Sequence, residues 1–282
     1  MTILVTGATG HLGRLTIDAL LARGADAGEL IAAGRSAEKL AAYAERGIRT
    51  RQLDFADPAS LDLAGIDTVL LVSGPKPGDR ARLHANVIDA AKAAGVAKLV
   101  YTSAPHVDSA DYSLAPDHRA TEAYLAESGV PAVVARNNWY TELYAAEVRT
   151  AAETGVIAAS VGDGRVASAP RADYAEGLAV LLLDDGHLGR TYEFTGDTAW
   201  GFDELAAAAS ELTGRAVVYR AQTPEERAAD LAAAGLDAGT VDFVLSVDDT
   251  VRRGVLAYAE PTLADLIGRL TTPLLEALRA AL

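Results

Sequence analysis

The sequence predicts an α/β fold in which a doubly wound parallel sheet is followed by a smaller C-terminal α+β region. Two observations carry this expectation. Short runs rich in Val, Ile and Leu alternate with longer alanine-rich stretches through the first half of the chain, and a glycine-rich turn follows the first of those runs. Strands that are apolar throughout, instead of alternating, fit a parallel sheet covered by helices on both faces.

The elements follow in order. A first strand is expected in "TILVT" (2–6) and a helix over 12–23, then "LIAAG" (30–34), a helix over 37–46, and "TRQLD" (50–54). The rhythm continues with "DTVLLVS" (67–73), a helix over 82–94, "KLVYTS" (98–103), a helix over 118–128, and "PAVVARN" (131–137). Beyond Arg136 it loosens into a helix over 141–155, a glycine-rich turn in "VGDGR", a helix over 172–184 and a strand in "TYEFTG" that rejoins the sheet. Further helices are expected over 202–213, 224–234 and 262–282, with a short strand "AVVYR" between the first two. Residues 1–150, with 156–197 returning to them, are thus expected to form the sheet domain, and 198–282 mainly the smaller region. No repeat period emerges, and no linker is long enough to separate independent domains.

A chain of 282 residues, half of them hydrophobic, can bury a substantial core. It contains no cysteine, which excludes disulfides, thiolate metal sites and a cysteine nucleophile. The formal charge of -14 argues against nucleic acid and anionic membrane surfaces as partners, because a phosphate-bearing partner needs clustered Lys and Arg. No apolar run reaches bilayer length and "MTILVTGATG" opens directly on a strand, so a cytoplasmic protein is expected. A homo-oligomer is left open. His11, His84, His106, His118 and His187 show no paired ligand spacing, so no metal is expected. GxSxG and GxxxxGK[ST] motifs are missing, which removes the obvious hydrolase and nucleotide-triphosphatase readings.

Gly7, Gly10 and Gly13 of "TGATGHLG" lie between a strand and a helix. In that context Gly7 permits the tight turn, Gly10 lets backbone approach a pyrophosphate, and Gly13 lets the helix pack closely, as in a Rossmann-type dinucleotide site. The end of the second strand selects between the two nicotinamide dinucleotides, since an acidic residue there would repel a 2′-phosphate. Here it reads "AAGRSAEK": Arg35 can fork onto a phosphate, Ser36 can donate to it, and Lys39 lies one helical turn onward. NADP(H) is therefore the expected cofactor. Asp54 in "QLDFAD" suits an adenine-edge contact or a turn.

In this order and across nearly the whole chain, "TGATGHLG", "AGRSAEK", "YTS", "RNNWYTE" and "ASAPRADYA" resemble the type 2 NAD(P)H:quinone oxidoreductases. Those belong to the NmrA-like branch of the atypical short-chain dehydrogenase/reductases. The resemblance implies that Gly7, Ala8, Thr9, Gly10, His11, Leu12 and Arg35 line the NADP(H) site. It implies the same of Ser73, Gly74 and Pro75, of Asn137, Asn138, Trp139, Tyr140, Thr141 and Glu142, and of Arg171. It further implies relatives that bind dinucleotide as regulators with little turnover. Read physically, Ser73 to Pro75 follow the fourth strand, where Gly74 would let backbone approach the nicotinamide ribose. Asn137 to Tyr140 combine amide donors with two flat rings that suit planar partners, although Trp139 and Tyr140 could equally anchor the next helix. Arg171 precedes a helix, where it could reach a phosphate or only tie down the C-terminal region, and Asp173 could cap or pair with it.

The tyrosine and lysine of a short-chain dehydrogenase, four residues apart, are replaced in "DHRATEAYL" by His118 and Glu122. Hydride delivery to a ketone makes an alkoxide about as basic as hydroxide, near 15.7, and needs an acid in place. Delivery to a quinone makes a phenolate-like oxygen with a pKa of about 10, a relief of roughly 8 kcal/mol at 1.36 per unit. A quinone reductase can therefore dispense with the tyrosine. His118 could donate a proton, or could orient its helix by bonding a carbonyl, with Glu122 as its partner. His106 is a second candidate donor on the loop after the fifth strand, Asn137 is the expected oxyanion donor, and Ser103 could at most orient a carbonyl. The expected activity is flavin-free, NADPH-dependent reduction of a small quinone, with the C-terminal region serving as a substrate lid. The competing expectation is an NADP(H)-sensing regulator without turnover.

Overall fold

The computed structural model describes residues 1–74 and 78–282. Contacts divide the chain into two compact units: Met1–Ser109 with Leu114–Asn137 and Arg171–Phe194, and Ala110–Ser113 with Asn138–Pro170 and Thr195–Leu282. Arg171–Phe194 lies in the first unit, and Val156–Ala159 lies in the second.

The first unit is built on seven parallel strands: β1 (Ile3–Val5), β2 (Leu30–Gly34), β3 (Arg49–Gln52), β4 (Thr68–Leu71), β5 (Lys98–Ser103), β6 (Ala132–Asn137) and the later "TYEF" strand, Thr191–Phe194. They stand in the order β3-β2-β1-β4-β5-β6 followed by the "TYEF" strand, which pairs with β6 from Val134↔Thr191 to Asn137↔Phe194. The direction of winding reverses between β1 and β4, and the carboxyl edge at such a reversal is where α/β sheets bind ligands. β4 and β5 are buried along their whole length. The reason is cover on both faces by α1 (His11–Ala22), α2 (Ala37–Ala44), α3 (Arg80–Ala94), α4 (Ala115–Ser128) and a later helix, Arg171–Leu183. One core gathers Leu4, Val69, Leu71, Leu99 and Tyr101 of the strands with Val87, Ile88 and Ala91 of α3 and Leu125 of α4. β3, "RTRQ", is one of the two outer strands, and its exposed polar side chains discourage pairing with another chain.

The second unit holds α5 (Ala145–Thr154), β7 (Val156–Ala159) and β8 (Arg165–Val166). In chain order, the first unit's Arg171–Leu183 helix is then α6 and its "TYEF" strand β9, and the second unit continues with β10 (Trp200–Gly201), α7 (Phe202–Thr213) and β11 (Val218–Ala221). β7 and β11 pair in parallel and β8 and β10 antiparallel, around a core of Tyr144, Trp200, Phe202 and Leu205. α8 (Pro224–Ala233) starts at a reciprocal cap: Thr223 Oγ1 accepts from the Glu226 amide, and Glu226 Oε2 accepts from the Thr223 amide.

Three expectations are corrected in this unit. The helix expected over 141–155 opens as a 3-10 turn, Thr141–Tyr144, before α5 begins. The helix α9 (Ala238–Arg252) was not anticipated. The single helix expected over 262–282 is two, α10 (Thr262–Ile267) and α11 (Leu274–Ala281), because Gly268 terminates the first in the left-handed region and Pro273 opens the second. Among the described residues no helix is long and apolar enough to cross a membrane.

Gly13 shows how tightly the turn after β1 is built. A Cβ there would lie 2.4 Å from the Gly7 carbonyl oxygen and 2.7 Å from its carbon, both rigid backbone atoms. Gly13→Ala should destabilise the protein by about 1–3 kcal/mol in urea unfolding, the usual cost of overpacking.

Candidate functional site

The glycine turn is fastened before it can meet any ligand. Gly7 takes φ +61° and its carbonyl accepts from the Gly10 amide at 2.9 Å. The Ala8 amide donates to the Ala33 carbonyl of β2 at 3.0 Å, and the Tyr43 hydroxyl of α2 donates to the Ala8 carbonyl at 2.6 Å. α1 begins at Gly10, which offers no side chain to cap the first amides. Such an end, with its partial positive charge, suits a phosphate. His11 and Thr9 are exposed, and Leu12 turns into the core.

A cavity of about 560 Å³ opens beside this turn, lined by Gly7, Thr9, Gly10, Gly34, Arg35, Asp54, Phe55, Val72, Ser73 and Gly74, with Leu53, Arg80, Leu83 and His84 completing its wall. The edges of β1, β4 and β5 hold that wall in register through hydroxyls. Thr6 Oγ1 donates to the Leu70 carbonyl and accepts from the Val72 amide, while Thr102 Oγ1 accepts from the Ser73 amide at 2.8 Å. The sequence-expected residues Gly7, Thr9, Gly10, Arg35, Asp54, Ser73 and Gly74 are thus brought together. Ser36 and Lys39 stand just outside that wall: Ser36 Oγ caps α2 by accepting from the Lys39 amide at 3.3 Å, which leaves its hydroxyl proton free to donate. Asp54 both lines the cavity and closes a turn, its Oδ1 accepting from the Ala56 amide. The cradle of close glycines, the uncapped helix start, the exposed Arg35 and the Phe55 ring beside Asp54 fit an adenine dinucleotide carrying a 2′-phosphate.

The wall also contains two residues that sequence reading missed. Arg80 and His84, one turn apart on α3, grip both backbone groups of Gly74: Arg80 Nε donates to its carbonyl at 2.9 Å and its amide donates to His84 Nε2 at 3.1 Å. Gly74 was expected to offer its backbone to a ligand, and its polar groups are instead engaged within the protein. Because Nε2 of His84 accepts, Nδ1 carries the proton and donates to Thr121 Oγ1, which passes its own proton to the Asp117 carbonyl. Burial, helped by Arg80, pushes the His84 pKa down to about 3. The i, i+4 spacing of Arg80 and His84 was visible, but nothing local pointed to Gly74. Pro75 lies outside the described residues.

His118 departs from both expectations placed on it. It lies inside α4, 5% exposed, with Nδ1 hydrogen-bonded to the Tyr101 hydroxyl at 2.8 Å, so it neither caps the helix nor pairs with Glu122. Burial and the nearby Arg80 push its pKa down to about 3, which leaves a neutral ring with no proton to spare. Tyr101 is fully buried, and its hydroxyl pKa is raised by burial. Glu122 is taken by Arg136, with contacts of 2.7 and 3.0 Å, and by the Ser103 hydroxyl at 2.6 Å. His106 follows β5 with φ +51°, and its amide donates to Glu193.

Asn137 ends β6 in the first unit, 5% exposed. Residues 138–142 belong to the second unit. Asn138 donates to the Leu256 carbonyl and accepts from the Trp139 amide, Trp139 packs on the second core, and Tyr140 bridges Ala169. Thr141 bonds Ser168 at 2.8 Å, and Glu142 is half-buried in the 3-10 turn. Arg171 is the half-buried first residue of α6, next but one to the fully buried Asp173.

A profile of NAD(P)H-binding proteins matches residues 7–185. The chain belongs to this NAD(P)H-binding family. It is 41% identical to Quinone oxidoreductase 2 of Escherichia coli over 276 residues, 97% of this chain and 96% of that one. A crystal structure of the NADPH-dependent quinone oxidoreductase of Escherichia coli complexed with NADPH superposes with a TM-score of 0.95 at 40% identity, covering 99% of both chains. Triphenylmethane reductase of Citrobacter sp. complexed with NADP(H) also gives 0.95, at 34% identity and 100% of both chains. The resemblance read from the motifs to type 2 quinone oxidoreductases agrees with these likenesses.

The two sealed histidines of this NAD(P)H-binding protein contribute to its loss of stability in acid. An unfolded imidazole titrates near 6.5, whereas His84 and His118 stay neutral down to about 3 when folded. Below pH 6.5 the unfolded chain therefore binds protons that the folded chain refuses, and stability falls by up to about 1.4 kcal/mol per pH unit for each ring. His118→Gln should flatten the decline in urea stability between pH 6.5 and about 5, leaving the His84 share.

Proposed function

We propose that this protein is an NADPH-dependent quinone oxidoreductase. The observation that carries the reading is an intact dinucleotide cradle beside a helix whose two would-be catalytic positions are locked away, His118 on Tyr101 and Glu122 on Arg136. A site so arranged lacks the tyrosine acid that ketone reduction needs. Its chemistry suits an acceptor whose reduced oxygen is only phenolate-basic, a relief of roughly 8 kcal/mol. The likeness to relatives named as quinone oxidoreductases supports the same acceptor class.

Bound NADPH would supply the hydride. The turn from Gly7 to Gly13 would receive the pyrophosphate, and Arg35, with the Ser36 hydroxyl, would hold the 2′-phosphate through charge-assisted hydrogen bonds. Asp54 and Phe55 would flank the adenine, while Ser73 and Gly74 would border the cofactor's nicotinamide half from the carboxyl edge. Asn137, at that edge on β6, would donate to the developing oxyanion. Arg171, at the start of α6 in the same unit, is proposed as a further part of the cofactor site.

Two measurements test this. Purified protein with NADPH and a simple benzoquinone should show saturable loss of reduced-nicotinamide absorbance above a protein-free control, and a plain ketone should not be reduced. NADPH binding without consumption would instead favour a cofactor-sensing regulator. Arg35→Glu should weaken NADPH binding about 10- to 100-fold by calorimetry, the worth of one or two charge-assisted hydrogen bonds. NADH should be nearly unaffected, and equal effects on both would overturn the 2′-phosphate assignment.

A further inference from the structure

α2 has few holds on the rest of the first unit. Of its eight residues only Leu40 and Tyr43 are buried. Leu40 is apolar, whereas Tyr43 also makes a polar contact: its hydroxyl donates to the Ala8 carbonyl at 2.6 Å. Burial, with Asp18 nearby, raises the pKa of that phenol, so it remains a donor at neutral pH. Just past the end of α2, Arg46 lies over the Tyr43 ring, 5.8 Å from its centroid, and pairs with Asp18 of α1 at 2.6 Å.

The Tyr43 bond reaches the turn proposed to receive the pyrophosphate. The peptide joining Ala8 to Thr9 is planar and trans, so its C=O and N–H point in opposite directions. With the carbonyl held by Tyr43, the Thr9 amide is aimed away from that hydroxyl, and Thr9 lines the cavity. Among the described residues no protein group accepts from this amide. The bonds from the Ala8 amide to the Ala33 carbonyl and from the Gly10 amide to the Gly7 carbonyl join backbone to backbone. Tyr43 is what ties the turn to α2.

The other end of α2 stands at the proposed 2′-phosphate position. Arg35 and the Ser36 cap come just before its first turn, and the Arg35 carbonyl accepts from Gln52 Nε2 at 2.8 Å. Lys39 lies one turn before Tyr43 on the same side of the helix. One short helix thus presents groups for one phosphate at its start and, two turns on, the hydroxyl that orients an amide for another. A helix held by so few buried side chains belongs to the less stable parts of a fold, and a ligand that adds a further hold shifts it toward the docked state.

We propose that Tyr43 is a positioning residue that makes the two halves of cofactor recognition cooperative. A 2′-phosphate gripped at the start of α2 holds the helix down, and Tyr43 passes this to the Ala8–Thr9 peptide, whose amide is then better placed for the pyrophosphate. Part of the preference for NADPH over NADH accordingly resides in the glycine turn and not in Arg35 alone. The inference rests on the reading of Arg35 as the 2′-phosphate contact. Such coupling is reciprocal, so a pyrophosphate in the turn favours the docked α2 to the same extent.

Tyr43→Phe tests the link, since it removes the hydroxyl and keeps the ring. By calorimetry well below its unfolding temperature, the variant should bind NADPH about 10-fold and NADH about 3-fold more weakly, within the range that one neutral hydrogen bond spans. In an Arg35→Ala background the same change should cost both cofactors about 3-fold, because no grip on the 2′-phosphate is left to transmit. Equal losses of NADPH and NADH in the otherwise unaltered chain would overturn the coupling, and no loss of either would remove Tyr43 from cofactor binding altogether. Unchanged NADPH affinity in Arg35→Ala alone would instead sink the 2′-phosphate assignment, and the inference with it, while quinone turnover by the unaltered protein stands as a separate test of the activity. Hydrogen exchange read by mass spectrometry examines α2 without any substitution. At matched saturation NADPH should slow exchange over residues 37–46 more than NADH does, and equal slowing would overturn the proposal. In Tyr43→Phe that difference should shrink, and an undiminished difference would show that the hydroxyl is not the link.

Discussion

The guanidinium of Arg136 is the contact on which the carboxyl edge of the first unit depends. It leaves the end of β6 and engages Glu122 of α4, Glu193 of β9 and Asp108 of the loop after β5, while Ser103 of β5 joins through Glu122. Two strands, a helix and a loop are thereby referred to one planar group whose five donors have fixed directions. Buried ion pairs of this kind are poor sources of net stability, because desolvation offsets much of their attraction. What they fix is arrangement. Removing either Glu122 or Arg136 would leave its partner charged and enclosed, so the pair persists together. The lysine of a short-chain dehydrogenase thus has no counterpart here that could be restored by one substitution: its position carries a carboxylate that the fold already uses.

The three histidines on this side of the sheet share a chemistry and differ in surroundings. His84 and His118 are enclosed, with Arg80 nearby, and both influences oppose a charged ring. His84 is thereby fixed as a neutral acceptor for the Gly74 amide, a task that protonation of Nε2 would end. His106 instead stands with Nδ1 3.7 Å from Glu193 Oε1, its side chain partly exposed. Environment, more than residue type, decides what an imidazole can do.

The fold was legible because its first half obeys local rules. Apolar strands, alanine-rich helices and the glycine turn agree with one another, and β2, β5 and α7 fall on their expected bounds. The misread segments are those where local signals conflict. α9, "AGTVDFVLSVDDTVR", carries β-branched residues and three aspartates that weaken its helical appearance, and its burial against the second unit decides the matter. The segment 262–282 looks continuously helical until Gly268 and Pro273 are read as a stop and a start. At the site, the glycine turn and Arg35 were readable because each lies within its own short stretch, "TGATGHLG" and "AAGRSAEK". The Tyr101–His118 bond, the Glu122–Arg136 pair and the grip of Arg80 and His84 on Gly74 were not, since each joins residues that only the strand order brings together.

A protein of formal charge -14 that accepts a polyanionic dinucleotide works against its own field. The cavity lining resolves this locally. Arg35 is exposed at one end, free to meet a phosphate, whereas Arg80 is buried with its Nη1 3.6 Å from Asp117 and its Nε on Gly74. The first cation is available to a ligand and the second is largely committed to the wall. On the proposed reading, charge recognition in the cavity would then rest on one guanidinium together with oriented amides at the start of α1. Amide dipoles carry no net charge and need no counter-ion when the ligand leaves. An acidic protein can in this way hold an anion tightly at a single fork and release it without exposing a basic surface to other polyanions.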